Sequence, residues 1–153
     1  MTDREMSHHP PACMSSHLRL CINPSGRLVM APVPPLVALL DDDQTTVDLL
    51  ADFLGHHGFP TVPFLTKDKC LSTLHLHHPD VIITDINSPV MDGLTFLRTI
   101  KSFQLYRHIP VIILSGYAKD SAVLAESLGA LACFSKPCRL ENLLAAVAYG
   151  CGE

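Results

Sequence analysis

The chain has 153 residues, 48% of them hydrophobic, with a formal net charge of -4 and a pI of about 6.1. That length suits one domain, and the composition supplies a core, which excludes global disorder. The acidic balance leaves no basic face for nucleic acid, and no run reaches the roughly 18 apolar residues of a membrane span.

The six cysteines contain no CxxC pair, so zinc ligation and a dense disulfide framework are both set aside. Scattered reduced thiols suit a cytoplasmic protein. Arg4 is not followed by an apolar stretch of signal-peptide type.

Residues 1–35 carry Pro10, Pro11, Pro24, Pro32, Pro34 and Pro35 among Ser and His. No helical or alternating period stands out, so this stretch is expected to be a disordered or loosely attached extension. His8, His9, Cys13 and His17 fit no metal-ligand spacing and are taken as tail residues. Met30, just before the ordered pattern, is a candidate translation start.

The expected domain runs from 36 to 153. Leu36 to Leu40 is an apolar run of strand length, ending on Asp41-Asp42-Asp43. Thr45 or Thr46 is the expected cap of a helix bearing Val47, Leu50, Ala51 and Leu54, with Gly58 as its stop. Thr61 to Leu65 is a weaker strand, and Pro60 and Pro63 suit a sheet edge. Lys67 to about His77 is a helix with Leu71 and Leu74 inward. The histidines His75, His77 and His78 near its end complement the helix dipole rather than bind metal.

Val81 to Thr84 is the third strand and delivers Asp85 to its carboxyl end. A turn follows, Asn87-Ser88-Pro89-Val90-Met91-Asp92-Gly93, then a helix to about Phe103 with Leu94, Leu97 and Ile100 inward. Val111 to Leu114 is the fourth strand, closed by Ser115. A helix is expected over Asp120 to Leu128, and a fifth strand over Ala130 to Phe134, close to Lys136-Pro137. Leu140, Leu143, Leu144 and Val147 mark the last helix. Asp43, Asp92 and Asp120 are read as caps and surface charges.

Strands alternating with helices imply an α/β fold, a doubly wound parallel sheet of flavodoxin-like (βα)5 type with strand order 2-1-3-4-5. In that order the carboxyl ends of strands one, three, four and five meet at the ligand-binding edge. They carry Asp41, Asp42, Asp85, Ser115 and Lys136. Converging carboxylates repel unless a cation intervenes, and oxygen-only ligands suit Mg2+. The hydroxyl and the amine suit phosphoryl oxygens.

This constellation resembles the receiver domain of two-component response regulators. It matches in the acidic pair Asp41 and Asp42, in Asp85, Ser115 and Lys136-Pro137, and in the string Asp85-x-x-x-Pro89-x-Met91-Asp92-Gly93. The resemblance implies that Asp85 is a phosphoacceptor served by a phosphohistidine donor, a sensor histidine kinase or a histidine phosphotransfer protein. Mg2+ would be bound by Asp42, Asp85 and the carbonyl of Asn87, and by Asp41 through water. Ser115 and Lys136 would sense the phosphoryl oxygens. About a dozen residues follow the first turn of the last helix. The resemblance therefore implies a stand-alone receiver, monomeric or weakly dimeric, acting on a downstream protein and not as an enzyme.

Two departures stand out. Cys133 occupies the position where the family usually has a switching aromatic, and alternation points Phe134 to the opposite face. Ser88 is small where the family often has a larger apolar residue. Tyr117 is the aromatic nearest Ser115 and is considered as a gate in place of the missing one. Two other readings compete. A pseudo-receiver would keep the fold without phosphorylation. A haloacid-dehalogenase-like phosphatase would use Asp41-x-Asp43-x-Thr45 with Ser115 and a later lysine, but it needs an acidic motif after Lys136, where only Glu141 and Glu153 carry carboxylates and no aspartate occurs.

Overall fold

The computed structural model describes residues 18–87, 91–116 and 118–152. The tail cluster of His8, His9, Cys13 and His17, together with Ser88 and Tyr117, lies outside them, as does the side chain of Asp120.

Two strands, β1 (Leu18–Ile22) and β2 (Leu28–Pro32), form an antiparallel hairpin. They lie in a stretch whose sequence suggested no period. The turn is built on Asn23, whose side-chain oxygen accepts from Ser25 N, Ser25 Oγ and Arg27 N. Gly26 takes a positive φ of 79° there, which glycine adopts without steric cost. Leu18, Leu20, Ile22, Leu28 and Met30 remain exposed. Met30 pairs with Leu20, so a chain begun at Met30 would lack this hairpin.

The main sheet has five parallel strands. They are β3 (Val37–Leu40), β4 (Thr61–Phe64), β5 (Val81–Asp85), β6 (Val111–Ser115) and β7 (Ala132–Ser135). Their spatial order, β4-β3-β5-β6-β7, is the expected 2-1-3-4-5. Five helices connect and follow them: α1 (Gln44–His56), α2 (Lys67–His77), α3 (Gly93–Ser102), α4 (Ala118–Ser127) and α5 (Leu140–Gly150). β4 is an edge strand, which is where its Pro63 does least harm, since proline donates no ladder hydrogen bond.

Side-chain alternation along the central strands feeds two cores. Val37, Leu39, Val81, Ile83, Ile112 and Leu114 pack with Leu50 and Leu54 of α1 and Leu143 and Val147 of α5. Ala38, Leu40, Ile82, Val111 and Ile113 pack on the other face with Cys70 and Leu74 of α2, Phe96, Leu97 and Ile100 of α3, and Ala125 of α4. Both faces are covered, so β3, β5 and β6 are buried along their length, and their sequences read as unbroken apolar runs. Asp80 ties the entrances of β3 and β5 together: its carboxylate accepts from Leu36 N at 2.8 Å and its N–H donates to Leu36 O at 2.8 Å.

Some local expectations are corrected. The cap of α1 is Asp43, whose carboxylate accepts from Thr45 N at 3.1 Å and Thr46 Oγ1 at 2.7 Å; the threonines donate and do not cap. The fourth helix begins at Ala118, two residues early, and β7 begins at Ala132, two residues late. Gly129, with φ of 97°, and a bond from Ala130 N to Ala125 O use the intervening residues to close α4. His78 caps α2 in the left-handed conformation. Cys70, Cys133 and Cys138 are free thiols.

Leu54 is fully buried and Leu49, on the same helix, is 56% exposed. Leu54→Ala should cost about 2–5 kcal/mol in urea unfolding, and Leu49→Ala about 0.5 kcal/mol or less.

Candidate functional site

Strand register aligns the site. Leu40 of β3 pairs with Thr84 of β5, so the next residues, Asp41 and Asp85, stand side by side at the carboxyl edge of the sheet. Asp85 pairs with Leu114, and Ser115 pairs with Ser135, which sets Ser115 and Lys136 one step further out. Four of the six site residues expected from the sequence are thus brought to one edge by strand register, Asp42 follows Asp41 directly, and Asn87 stands two residues after Asp85.

Asp41 and Asp85 are each 7% exposed, and Asp42 is open to solvent. Carboxylate oxygens of the three lie within 4.8 Å of one another, close enough to converge on one cation. The site otherwise relies on Lys136. Its Nζ donates to Asp41 Oδ2 at 2.8 Å and sits 3.6 Å from Asp85 Oδ2. Desolvation pulls the Lys136 pKa down, but the hydrogen bond and charge of Asp41, with the charge of Asp85, outweigh it and raise the pKa overall. The remaining oxygens are held locally: Asp41 Oδ1 accepts from Asp43 N at 3.0 Å, and Asp85 Oδ1 accepts from Asn87 N at 3.1 Å. Ser115 is 1% exposed, and its carbonyl accepts from Lys136 N at 2.7 Å.

Residues 37–148 match the family model of the response regulator receiver domain. The chain belongs to that family. Receiver domains are phosphorylatable signalling modules that bind Mg2+ at an acidic pocket and interact with histidine kinases or phosphotransfer proteins. The receiver is 34% identical to the DNA-binding transcriptional regulator NtrC of Salmonella typhimurium over 113 residues, 73% of this chain and 24% of NtrC. It therefore spans about a quarter of that relative. It is 27% identical to the polar-differentiation response regulator DivK of Brucella ovis, over 76% of this chain and 96% of DivK. Its fold matches the crystal structure of a putative response regulator from Chloroflexus aurantiacus with a TM-score of 0.74 at 21% identity, covering 79% of this chain and 100% of the other.

Around the receiver's pocket, backbone contacts hold Asp85 in place. Ile86 N donates to Leu114 O, and Gly93 N donates back to Ile86 O at 2.8 Å, closing the turn that carries Asn87. Gly93 is required here for space: a Cβ would lie 2.5 Å from Asp85 O and 2.8 Å from Ile86 Cα, both backbone atoms. Asp92 caps α3, accepting from Leu94 N, Thr95 N and Thr95 Oγ1, each at 2.9 Å. These bonds, that from Thr95 N first, hold its carboxyl below the usual carboxylate range.

Cys133 and Phe134 do face opposite ways. Cys133 packs with the α2–α3–α4 core and Phe134 with the α1–α5 core. An apolar cavity of about 380 Å³ opens beside Lys136, lined by Thr46, Leu49 and Leu50 of α1, Leu114, and Pro137, Cys138 and Leu140 before and within α5.

One residue near the pocket was not signalled by the sequence. Lys67, at the start of α2, is only 4% exposed and feels the charges of Asp85, Asp41, Asp42 and Asp92. A lysine in a helix reads as a surface charge, and only the tertiary structure turns it inward.

Two outcomes follow. Gly93→Ala should destabilise the receiver by about 1–3 kcal/mol, because the Asp85–Ile86 backbone against it cannot yield; urea unfolding measures this. The stabilisation from Asp92 is complete above the unfolded carboxylate pKa of about 3.9. It is lost as pH falls through the lowered folded value. Asp92→Ala should therefore cost about 1 kcal/mol at neutral pH, and its deficit should shrink in acid-unfolding curves.

Proposed function

We propose that residues 36–153 act as a phosphoacceptor receiver in the cytoplasm, with Asp85 taking a phosphoryl group from a phosphohistidine donor. The observation that carries this reading is the Lys136 bridge. An ammonium group from a residue 95 positions away spans Asp41 at 2.8 Å and Asp85 at 3.6 Å. It leaves Asp85 the less tightly paired of the two carboxylates and the freer nucleophile.

In the reaction, an Asp85 carboxylate oxygen bonds to phosphorus as the bond from phosphorus to the donor imidazole breaks, and the imidazole leaves with the electron pair. Asp42, Asp85 and the Asn87 carbonyl would hold Mg2+ directly, and Asp41 through water. The carboxylate oxygens converge within 4.8 Å, which fits that role. Bound there, Mg2+ would neutralise charge between the carboxylates and the incoming phosphoryl group. Lys136 would turn from Asp41 toward a phosphoryl oxygen carried by Asp85, which it already approaches to 3.6 Å. Ser115 would bind a second phosphoryl oxygen. Moving these two residues would displace the starts of α4 and α5, and the signal would leave through the face made by α4, β7 and α5. The partner there is a downstream protein.

The phosphatase reading is weakened by Asp43, which is committed to capping α1 and whose pKa is lowered first by the hydrogen bond from Thr46. The pseudo-receiver reading is separated by experiment.

Incubation with a small phosphodonor and Mg2+ should give one acid- and base-labile acyl phosphate, mapped to Asp85 by mass spectrometry, and none in Asp85→Asn. Asp42→Asn should weaken Mg2+ binding and phosphorylation together, by about tenfold or more. Phosphate on any other residue would reject the assignment. No modification of the folded protein, together with no response to beryllofluoride, would favour the pseudo-receiver.

A further inference from the structure

Lys67 sits where local physics disfavours it. It is the first residue of α2, after the cap Thr66, so its positive charge lies at the positive end of the helix dipole. It is also 4% exposed, and removing an ammonium group from water is costly. The nearby carboxylates supply the compensation. Strand β4 ends at Phe64, level with Leu40 of β3, so α2 starts beside the loop carrying Asp41 and Asp42. Burial lowers the Lys67 pKa, and Asp85, Asp41, Asp42 and Asp92 counter it in that order. No salt bridge within 4 Å is formed by Lys67 among the described residues, unlike Lys136.

We propose that Lys67 is a second cationic group of the acidic pocket, one that holds down the resting affinity for a divalent cation and balances the charge of the phosphorylated state. At rest, three carboxylates face two ammonium groups, leaving one negative charge. A divalent cation then brings the pocket to one positive charge. Turning the Asp85 carboxylate into an ester that carries a phosphoryl dianion adds one negative charge and makes the loaded pocket neutral. Without Lys67 the loaded pocket would be left anionic, and the resting pocket would attract the cation more strongly. The phosphoryl half of this inference rests on the reading above; the cation half does not.

The test is Mg2+ titration of the full chain, followed by the amide shifts of Asp85 and Asn87, for wild type, Lys67→Met and Lys67→Arg. Lys67→Gln serves if the Met variant does not fold. Methionine keeps the buried stem and removes the charge. Lys67→Met should bind Mg2+ on the order of three- to tenfold more tightly, and Lys67→Arg should stay within about twofold of wild type. At saturating Mg2+, Lys67→Met should bind beryllofluoride more weakly. An unchanged Mg2+ affinity in folded Lys67→Met or Lys67→Gln would overturn the proposal and leave the phosphoacceptor reading standing. Mg2+ binding by Lys67→Met but not by wild type would support Lys67 as the excluding charge and count against Mg2+ use by the native protein. Binding by neither would overturn both.

Discussion

The site depends on the electrostatics of carboxylates held together at the end of a sheet. Asp41 and Asp85 emerge from neighbouring strands, both nearly buried, with Asp42 next to them. Their repulsion would unfavourably charge the edge if nothing answered it. Lys136 answers it from the far end of the chain, bound to one carboxylate and within reach of the other. On the proposed reading, a metal or a phosphoryl group entering the pocket would change that balance of charge, and so a small chemical event would move a lysine and the loop it starts.

This balance is possible because the sheet positions the charged groups without using them for folding. The cores are apolar on both faces, fed by alternating side chains of β3, β5 and β6. Stability comes from that burial, so the site residues can remain electrostatically tense. The supporting parts are backbone and caps: Asp43 for α1, Asp92 for α3, and Gly93 against the carbonyl of Asp85. The carboxylates that cap helices lie close to those that face the pocket: Asp43 and Asp92 accept from first-turn N–H groups and a threonine hydroxyl, whereas Asp41 and Asp85 each keep an oxygen toward Lys136.

The α4–β7–α5 face has its own character in this receiver. With Cys133 on one core and Phe134 on the other, no aromatic at the usual switch position can swing between them. Cys133 is a small, partly buried thiol, its pKa raised first by desolvation and then by Glu126. The loops after β6 and β7, which the proposed reading uses for transmission, are joined where Lys136 N donates to Ser115 O at 2.7 Å.

Much of this was legible in the chain itself. Unbroken apolar runs such as Val111 to Leu114 identify buried strands, and their alternation with helices dictates a parallel doubly wound sheet. Asp41, Asp42, Asp85, Ser115 and Lys136 are visible because each stands just beyond such a run. The hairpin was less visible, since Leu18, Leu20 and Ile22 alternate for only five residues among prolines and histidines. That Asp43 and Asp92 stand apart from the pocket carboxylates was readable as well; that Asp43, and not Thr45 or Thr46, caps α1 was decided by the fold, because a local Asp–Thr spacing suits either residue as the cap. So was the inward turn of Lys67. Its neighbours in sequence are ordinary helix residues, and the charges that accept it come from Asp41, Asp42, Asp85 and Asp92, brought together only when the strands pair.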